Sequence, residues 1–125
     1  MPQYAIFIYS DPTAAHDDAE LAEHEKHSDD FIEAGALTAA YALREPAAAT
    51  SIRGTGEMDG PYTETKEFIA GIGIVEADDL EAALVLARQN PAIRHGAGVE
   101  VREIVGAYTR ADGGSGEGVT AVTAG

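Results

Sequence analysis

The stretch EMDGPYTETKEFIAGIGIV, residues 57–75, places a tightly specified turn shortly before one of the most hydrophobic segments of the chain. Asp59-Gly60-Pro61-Tyr62 is typical of a turn, because Asp and Gly accept backbone conformations that other residues avoid and Pro fixes φ. After a short polar run the residues become almost wholly apolar and small, which predicts a central strand from Lys66 to Glu76. Gly71 and Gly73 weaken this strand intrinsically and therefore indicate a close approach of backbone or ligand.

The sequence on either side of this strand predicts an alternation of strands and helices. Apolar runs predict further strands at Tyr4–Tyr9, Ala36–Leu43, Thr50–Arg53 and Val99–Val105. A polar helix is predicted from about Ala14 to Ala34, closed by Gly35, and a second helix, with an apolar stripe, from the carboxylate cap at Asp78-Asp79 to Asn90. The order β-α-β, short hairpin, β-α-β predicts an α+β, ferredoxin-like βαββαβ fold. Such a fold has a four-stranded antiparallel sheet with two helices on one face.

This arrangement leaves the other face of the sheet uncovered, although the predicted strands are apolar on both faces. A second copy of the chain can cover such a face, so we expect a homodimer joined through the sheets. We assign residues 1–108 to one folded domain. Residues 109–125 contain little but Gly, Ala and polar residues, and we expect this tail to be flexible.

Composition narrows the class of partner and the compartment. Eight Lys and Arg against 22 Asp and Glu give a net charge of −14, which disfavours nucleic acid and anionic membranes as partners. No apolar run is long enough to span a bilayer, and the first residues show neither a basic start nor a cleavage site. The absence of cysteine excludes disulfides and thiolate chemistry. We therefore expect a cytoplasmic protein.

Histidine offers the clearest acid–base chemistry in the sequence. A helical wheel anchored at Leu21 places His24 about 60° away, on the side shared with Phe31. A partly buried imidazole there can act as a general acid or base if burial and a carboxylate neighbour adjust its pKa. The alternative is an imidazole that only packs at the edge of the core.

The patterns for metal and cofactor binding are weak. Glu20, His24 and His27 lie on one helical face, but HEKH lacks one residue of the HExxH zinc signature and no fourth ligand is evident. The glycine-containing segments GTGEMDG and GIGIV match neither the P-loop nor the dinucleotide fingerprint. We therefore expect neither a metal nor a cofactor.

Three segments together resemble a known family: HEKHSDDFIEAGAL (24–37), DGPYTETKEF (59–68) and NPAIRHGAGVEVREI (90–104). They closely resemble the YCII-related family, in the branch named after its DGPF motif, with Tyr62 where Phe is usual. The resemblance extends over roughly residues 3 to 106. It implies a ferredoxin-like protomer that dimerises as an α+β barrel.

The resemblance also implies site residues. Some relatives are thought to be enzymes, including one linked to removing chloride from a chlorinated hydroxyquinol. Their proposed catalytic histidine lies eleven residues before the Gly that ends the first helix, which is His24 here. Their proposed Asp partner precedes the Pro after the second helix, where this chain has Asn90. Asn can hydrogen-bond an imidazole but carries no charge to stabilise the protonated form, so Asp59 is the alternative partner.

The sequence and the resemblance together predict a dimer that binds a small cyclic or aromatic metabolite. They leave open whether it is an enzyme; if it is, His24 and Asp59 are the candidate pair for cofactor-free acid–base catalysis. Tyr62, Asn90 and Arg94 are the candidate ligand contacts, and Gly71 and Gly73 would leave room beside them. The alternative is a non-catalytic accessory or regulatory interaction module, in which Asp59 only caps its turn and Tyr62 fills the core.

Overall fold

Four strands form one antiparallel sheet in the computed structural model, which describes residues 1–10, 18–62, 67–94, 96–110 and 119–122. In chain order the elements are β1 (Gln3–Ser10), α1 (Asp18–Glu33), β2 (Leu37–Ala42), a 3₁₀ turn (Pro46–Ala48), β3 (Thr50–Arg53), β4 (Gly56–Asp59), β5 (Phe68–Glu76), α2 (Leu80–Ala87), α3 (Pro91–Arg94), β6 (Val99–Glu103), β7 (Ala107–Arg110) and β8 (Val119–Val122). The sheet order is β2-β5-β1-β6, and each neighbouring pair is antiparallel. The predicted α+β fold with a four-stranded antiparallel sheet is confirmed.

The core lies between one face of this sheet and the helices. Tyr4 and Ile6 of β1 are buried and lie opposite Val75 and Gly73 of β5. Small residues of α2, including the fully buried Ala83, pack against these side chains and bring the helix close to the sheet. Burial of this apolar face is the main favourable contribution to folding.

Local capping signals work as the sequence predicts. Gly35 ends α1 with φ of 78°, a left-handed conformation that favours glycine, and the Ala36 amide donates to the Phe31 carbonyl at 2.9 Å. Asp79 precedes α2, and its Oδ1 accepts a hydrogen bond from the Ala82 amide at 2.9 Å.

The predicted inward facing of α1 is wrong for Leu21 and Ile32. Leu21, the anchor of the helical wheel, is 59% exposed, and Ile32 is also exposed. Phe31 instead packs against the core. The face of α1 that meets the sheet therefore centres on Phe31.

The DGPY corner lies at the open end of a separate two-stranded hairpin, β3–β4, whose turn is Gly54-Thr55; Asp59 is the last residue of β4. Gly60 follows with φ of 102°, its amide donates to the Ala49 carbonyl at 2.6 Å, and its carbonyl accepts from Ser51 Oγ at 2.7 Å. The glycine is required by this backbone conformation, and the two hydrogen bonds fix the corner.

The second face of the main sheet is apolar on β1, β2 and β5, and at the β6 edge the register places the charged residues Glu100 and Arg102 on it. We call it the outer sheet face and define it by Ala5, Phe7, Ala39, Tyr41, Ile72 and Ile74, which the strand register places on the side opposite Tyr4 and Ile6. Ile72 lies at its centre, paired with Phe7 on one side and Tyr41 on the other, and Tyr41 is 62% exposed.

The C-terminal region of the chain contributes a second pair of strands. β7, which extends across the predicted boundary at residue 108, pairs antiparallel with β8 of the predicted flexible tail, and the sequence does not predict this pairing. Residues 111–118 and 123–125 lie outside the described residues, so flexibility of the tail and the boundary at residue 108 stay predictions.

Within the described ranges, none of the helices combines the length and the apolar character that crossing a membrane requires.

Candidate functional site

A small, partly open cleft, with about 30 Å³ of space for the centres of water-sized molecules, lies between α1, the end of α2 and the inner face of the main sheet. The sheet side of the cleft is formed by Ile6, Ile8, Leu37, Ala40, Gly73 and Val75. The helix side is formed by His27, Ser28, Phe31, Leu86, Ala87 and Asn90. A mostly apolar lining with a few polar groups on one side is the usual composition of a small-molecule site.

His27 is the titratable side chain in this lining. Its ring lies 4.2 Å, centroid to centroid, from the ring of Phe31 at an interplanar angle of 42°. Burial lowers the pKa of His27 below its usual value, and the nearby His24 lowers it further, whereas Asp30 acts in the opposite direction. The imidazole is therefore held in its neutral form at neutral pH, in which one ring nitrogen donates and the other accepts.

This lowered pKa predicts an acid-sensitive contribution to stability. The imidazole has a pKa of about 6.5 in the unfolded chain and a lower one in the folded chain, so between the two values the unfolded state binds more protons. Stability is therefore undiminished above about pH 6.5 and falls as the pH drops below it. Urea denaturation of wild type and His27→Gln across this range is the measurement. Wild type should lose more stability on acidification than the variant, and equal losses would contradict the assignment.

Asn90 is the second polar group of the cleft and is only 6% exposed. Its Oδ1 accepts a hydrogen bond from the Ala92 amide at 2.9 Å and so caps α3. The cap directs its carbonyl to the backbone, which makes the amide N–H groups the donors that this side chain can offer to the cleft. Asn90 therefore both caps α3 and lines the cleft.

The structure brings together some of the predicted site residues. Gly73 and Asn90 both line the cleft, together with His27. His24 lies one turn earlier on α1, is half-buried, and acts electrostatically on His27. Asp59 is exposed and pairs with Thr50 in the β3–β4 hairpin. The cleft lining therefore does not include the predicted His24–Asp59 pair.

Tyr62 and Arg94 have other contacts. Tyr62 is 60% exposed, so the alternative that it fills the core is wrong. The Arg53 guanidinium carbon lies 3.8 Å from the centre of its ring, and Arg53 Nη2 donates to the Tyr62 carbonyl at 2.7 Å. Arg94 donates to the carboxylate of Glu23, which ties α3 to α1 beside the cleft.

Gly71 is explained by the backbone of the neighbouring strand. A Cβ at this position would lie 2.9 Å from the carbonyl oxygen of Tyr41. At Gly73 a Cβ would meet only the flexible end of Leu37, at 3.3 Å. Close packing of β2 therefore explains the glycine at position 71, whereas Gly73 lies beside the cleft and has only a side-chain neighbour.

His27 is the residue that the sequence interpretation missed. It precedes Phe31 by four residues, and Ser28 precedes Phe31 by three, so all three share one helical face. A wheel anchored at Phe31 places His24 about 20° and His27 about 40° away, so both share its face, and the position along the helix axis decides that His27 lines the cleft.

The described residues contain no group of three His, Asp or Glu side chains arranged to hold a metal ion. Side-chain placement at Glu20 is not described, and His16 and His95 lie outside the described residues.

Comparison with known sequences agrees with this fold. The sequence profile of the YCII-related domain matches residues 2–106. An uncharacterized protein of Rhizobium meliloti (strain 1021) is 30% identical over 95 residues, which cover 68% of this chain and 77% of that protein. Since the match to the profile includes the whole main sheet and all three helices, the chain belongs to the YCII-related family.

Proposed function

We propose that this protein is a dimer of the DGPF branch that binds a small cyclic or aromatic metabolite in the cleft between α1 and the sheet. The cleft is the observation that carries the proposal, because its wall combines an apolar surface with a neutral imidazole, a hydroxyl and a buried amide.

The strand order supports a ferredoxin-like topology for the protomer. Without the β3–β4 hairpin, the four sheet strands are the first, second, third and fourth of a βαββαβ unit, and they occur in the order 2-3-1-4. The hairpin is then an insertion between the second and third strands, which contains Gly60 of the DGPY corner.

The outer sheet face supports a homodimer. The cross-strand row Tyr41–Ile72–Phe7 is apolar, and α1 and α2 pack on the opposite face. Leaving this apolar row in water is unfavourable, and a second copy of the chain presents the same apolar row.

Binding without turnover is favoured by Asn90. At the position where the resemblance implies a catalytic Asp, this chain has an amide that caps α3 and cannot supply a negative charge to an imidazolium. Acid–base catalysis through His24, with Asp59 as partner, stays a prediction. A binding protein needs the cleft and does not need this pair.

The binding proposal predicts that filling the cleft blocks ligands. Ala40 lines the cleft from β2, whereas Ala42 lies two residues along the same strand and outside the lining. In Ala40→Leu we expect fragments to bind roughly tenfold more weakly, because a clash in a packed site costs about 1–3 kcal/mol. Saturation-transfer NMR with monocyclic aromatic and alicyclic fragments is the measurement.

Ala42→Leu is the matched control, since it adds the same side chain to the same strand and should leave binding unchanged. Equal loss in both variants would attribute the effect to the strand and not to the cleft. Absence of any fragment binding to wild type would exclude the proposed site for monocyclic ligands.

A further inference from the structure

The polar groups of the cleft are all uncharged at neutral pH. His27 is neutral, Ser28 offers a hydroxyl, and Asn90 offers amide N–H groups. These three side chains lie on the helix side, and the opposite side is apolar sheet. A ligand that fits must therefore be apolar along most of its surface and carry its hydrogen-bonding group at one end.

Two described cations, one on α1 and one on α3, are paired with carboxylates. Lys26 Nζ lies 2.8 Å from Asp30 Oδ2, and the Arg94 guanidinium binds the Glu23 carboxylate. A carboxylate or phosphate ligand would lose its hydration in the cleft without gaining a cationic partner from these residues, which is unfavourable.

The groups around His27 favour its neutral form, in which one ring nitrogen can accept a hydrogen bond from a ligand hydroxyl. The charged groups that act on it, His24 and Asp30, both belong to α1. Among the described residues of the lining, β1, β2, β5 and α2 contribute only side chains that do not titrate. The neutral imidazole has one acceptor nitrogen, and protonation removes it.

We infer that the cleft selects an uncharged ring compound with a hydroxyl group. His27 determines this specificity, because its neutral imidazole accepts a hydrogen bond from the hydroxyl group. The inference rests on the proposed binding function. It assigns a role to His27 as a ligand contact and requires no proton transfer and no covalent step. Asn90 would donate to the oxygen of the same hydroxyl group.

Four probes of similar size test this inference: phenol, anisole, benzoate and benzylamine. Anisole keeps the ring and the oxygen of phenol but has no O–H donor, and the other two carry a charge. Amide chemical shifts of Ser28, Phe31 and Gly73 report binding at the cleft. We expect phenol to bind roughly tenfold more tightly than anisole, as the loss of one hydrogen bond in a desolvated site predicts. The two charged probes should bind more weakly still.

Two further measurements identify His27 as the group involved. Phenol binding should weaken as the pH falls from about 8 to about 5, across the usual imidazole range, whereas anisole binding should not change. His27→Phe should weaken phenol binding roughly tenfold and leave anisole binding unchanged, whereas His24→Phe should keep the preference for phenol over anisole at about pH 8. The amide spectrum of each variant establishes that it is folded.

The outcomes distinguish failure of the inference about His27 from failure of the proposed binding function. If phenol and anisole bind alike to wild type, or if benzoate binds more tightly than phenol, the inference is overturned and the binding cleft stands. If His24→Phe removes the preference for phenol and His27→Phe does not, His24 is the specificity residue and the inference is also overturned. If no probe shifts the cleft amides, the proposed function fails for ring compounds, and the inference fails with it.

Discussion

Gly71→Ala is expected to destabilise the protein by about 2 kcal/mol, the usual cost of adding a methyl group where the surroundings cannot move. The added Cβ would lie 2.9 Å from the Tyr41 carbonyl oxygen. That oxygen belongs to the backbone of β2 at the point where Ala42 pairs with Gly71. Either strand must shift, and both belong to the main sheet.

Gly73→Ala is the matched control for this prediction. It lies two residues away on the same strand and the same face, but its Cβ would meet Leu37 Cδ1 at 3.3 Å, and a leucine side chain can rotate. We expect a change within about 0.5 kcal/mol, because reduced freedom of the unfolded chain offsets the small contact. Urea denaturation with a common m-value measures both variants. Equal destabilisation of the two would show that strand propensity, and not the Tyr41 carbonyl, requires Gly71.

The sheet and the helix ends could be predicted from sequence because their signals are local. Gly35 and Asp79 act through backbone groups within a few residues, so the chemistry of one short segment decides the outcome. The hydrophobic runs of β1 and β5 are likewise continuous, and strand ends differ from the prediction by one or two residues where they are described.

The face of α1 could not be predicted because the helix has few apolar residues. With Leu21, Phe31 and Ile32 available as anchors, the wheel depends on which of them is buried, and that is decided by the sheet they meet. His24 and His27 both lie near Phe31 on the wheel and differ in their position along the helix axis, and the lining of the cleft includes His27. Acid–base chemistry at His24 stays a prediction.

Asp59 illustrates a second limit. Its turn chemistry was evident, but the sequence does not state which other segment the corner lies against. The structure places the corner at the open end of the β3–β4 hairpin, where Gly60 hydrogen-bonds with Ser51 and Ala49. Long-range placement of this kind comes from packing and cannot be derived from the motif alone.

The homodimer should dissociate when a charge is placed at the centre of the outer sheet face. In Ile72→Asp, each copy would bring a carboxylate into a surface formed by Phe7 and Tyr41, with no described cation in the same cross-strand row of the three strands β1, β5 and β2. Leaving a charge buried and unpaired costs about 3 kcal/mol or more, which corresponds to at least a roughly 100-fold higher dissociation constant. Sedimentation equilibrium over a range of protein concentrations is the measurement.

Val85→Asp is the control, because Val85 is exposed on α2, on the opposite side of the molecule from the outer sheet face. It introduces the same carboxylate and should leave the dimer intact. Dissociation of Val85→Asp, with Ile72→Asp still dimeric, would place the interface on the helices and contradict dimerisation through the sheets. A wild-type chain that is monomeric at all concentrations would contradict the homodimer itself. In that case the exposed Tyr41 and its neighbours would need a different partner, because the apolar row on β2, β5 and β1 would still lie open to water.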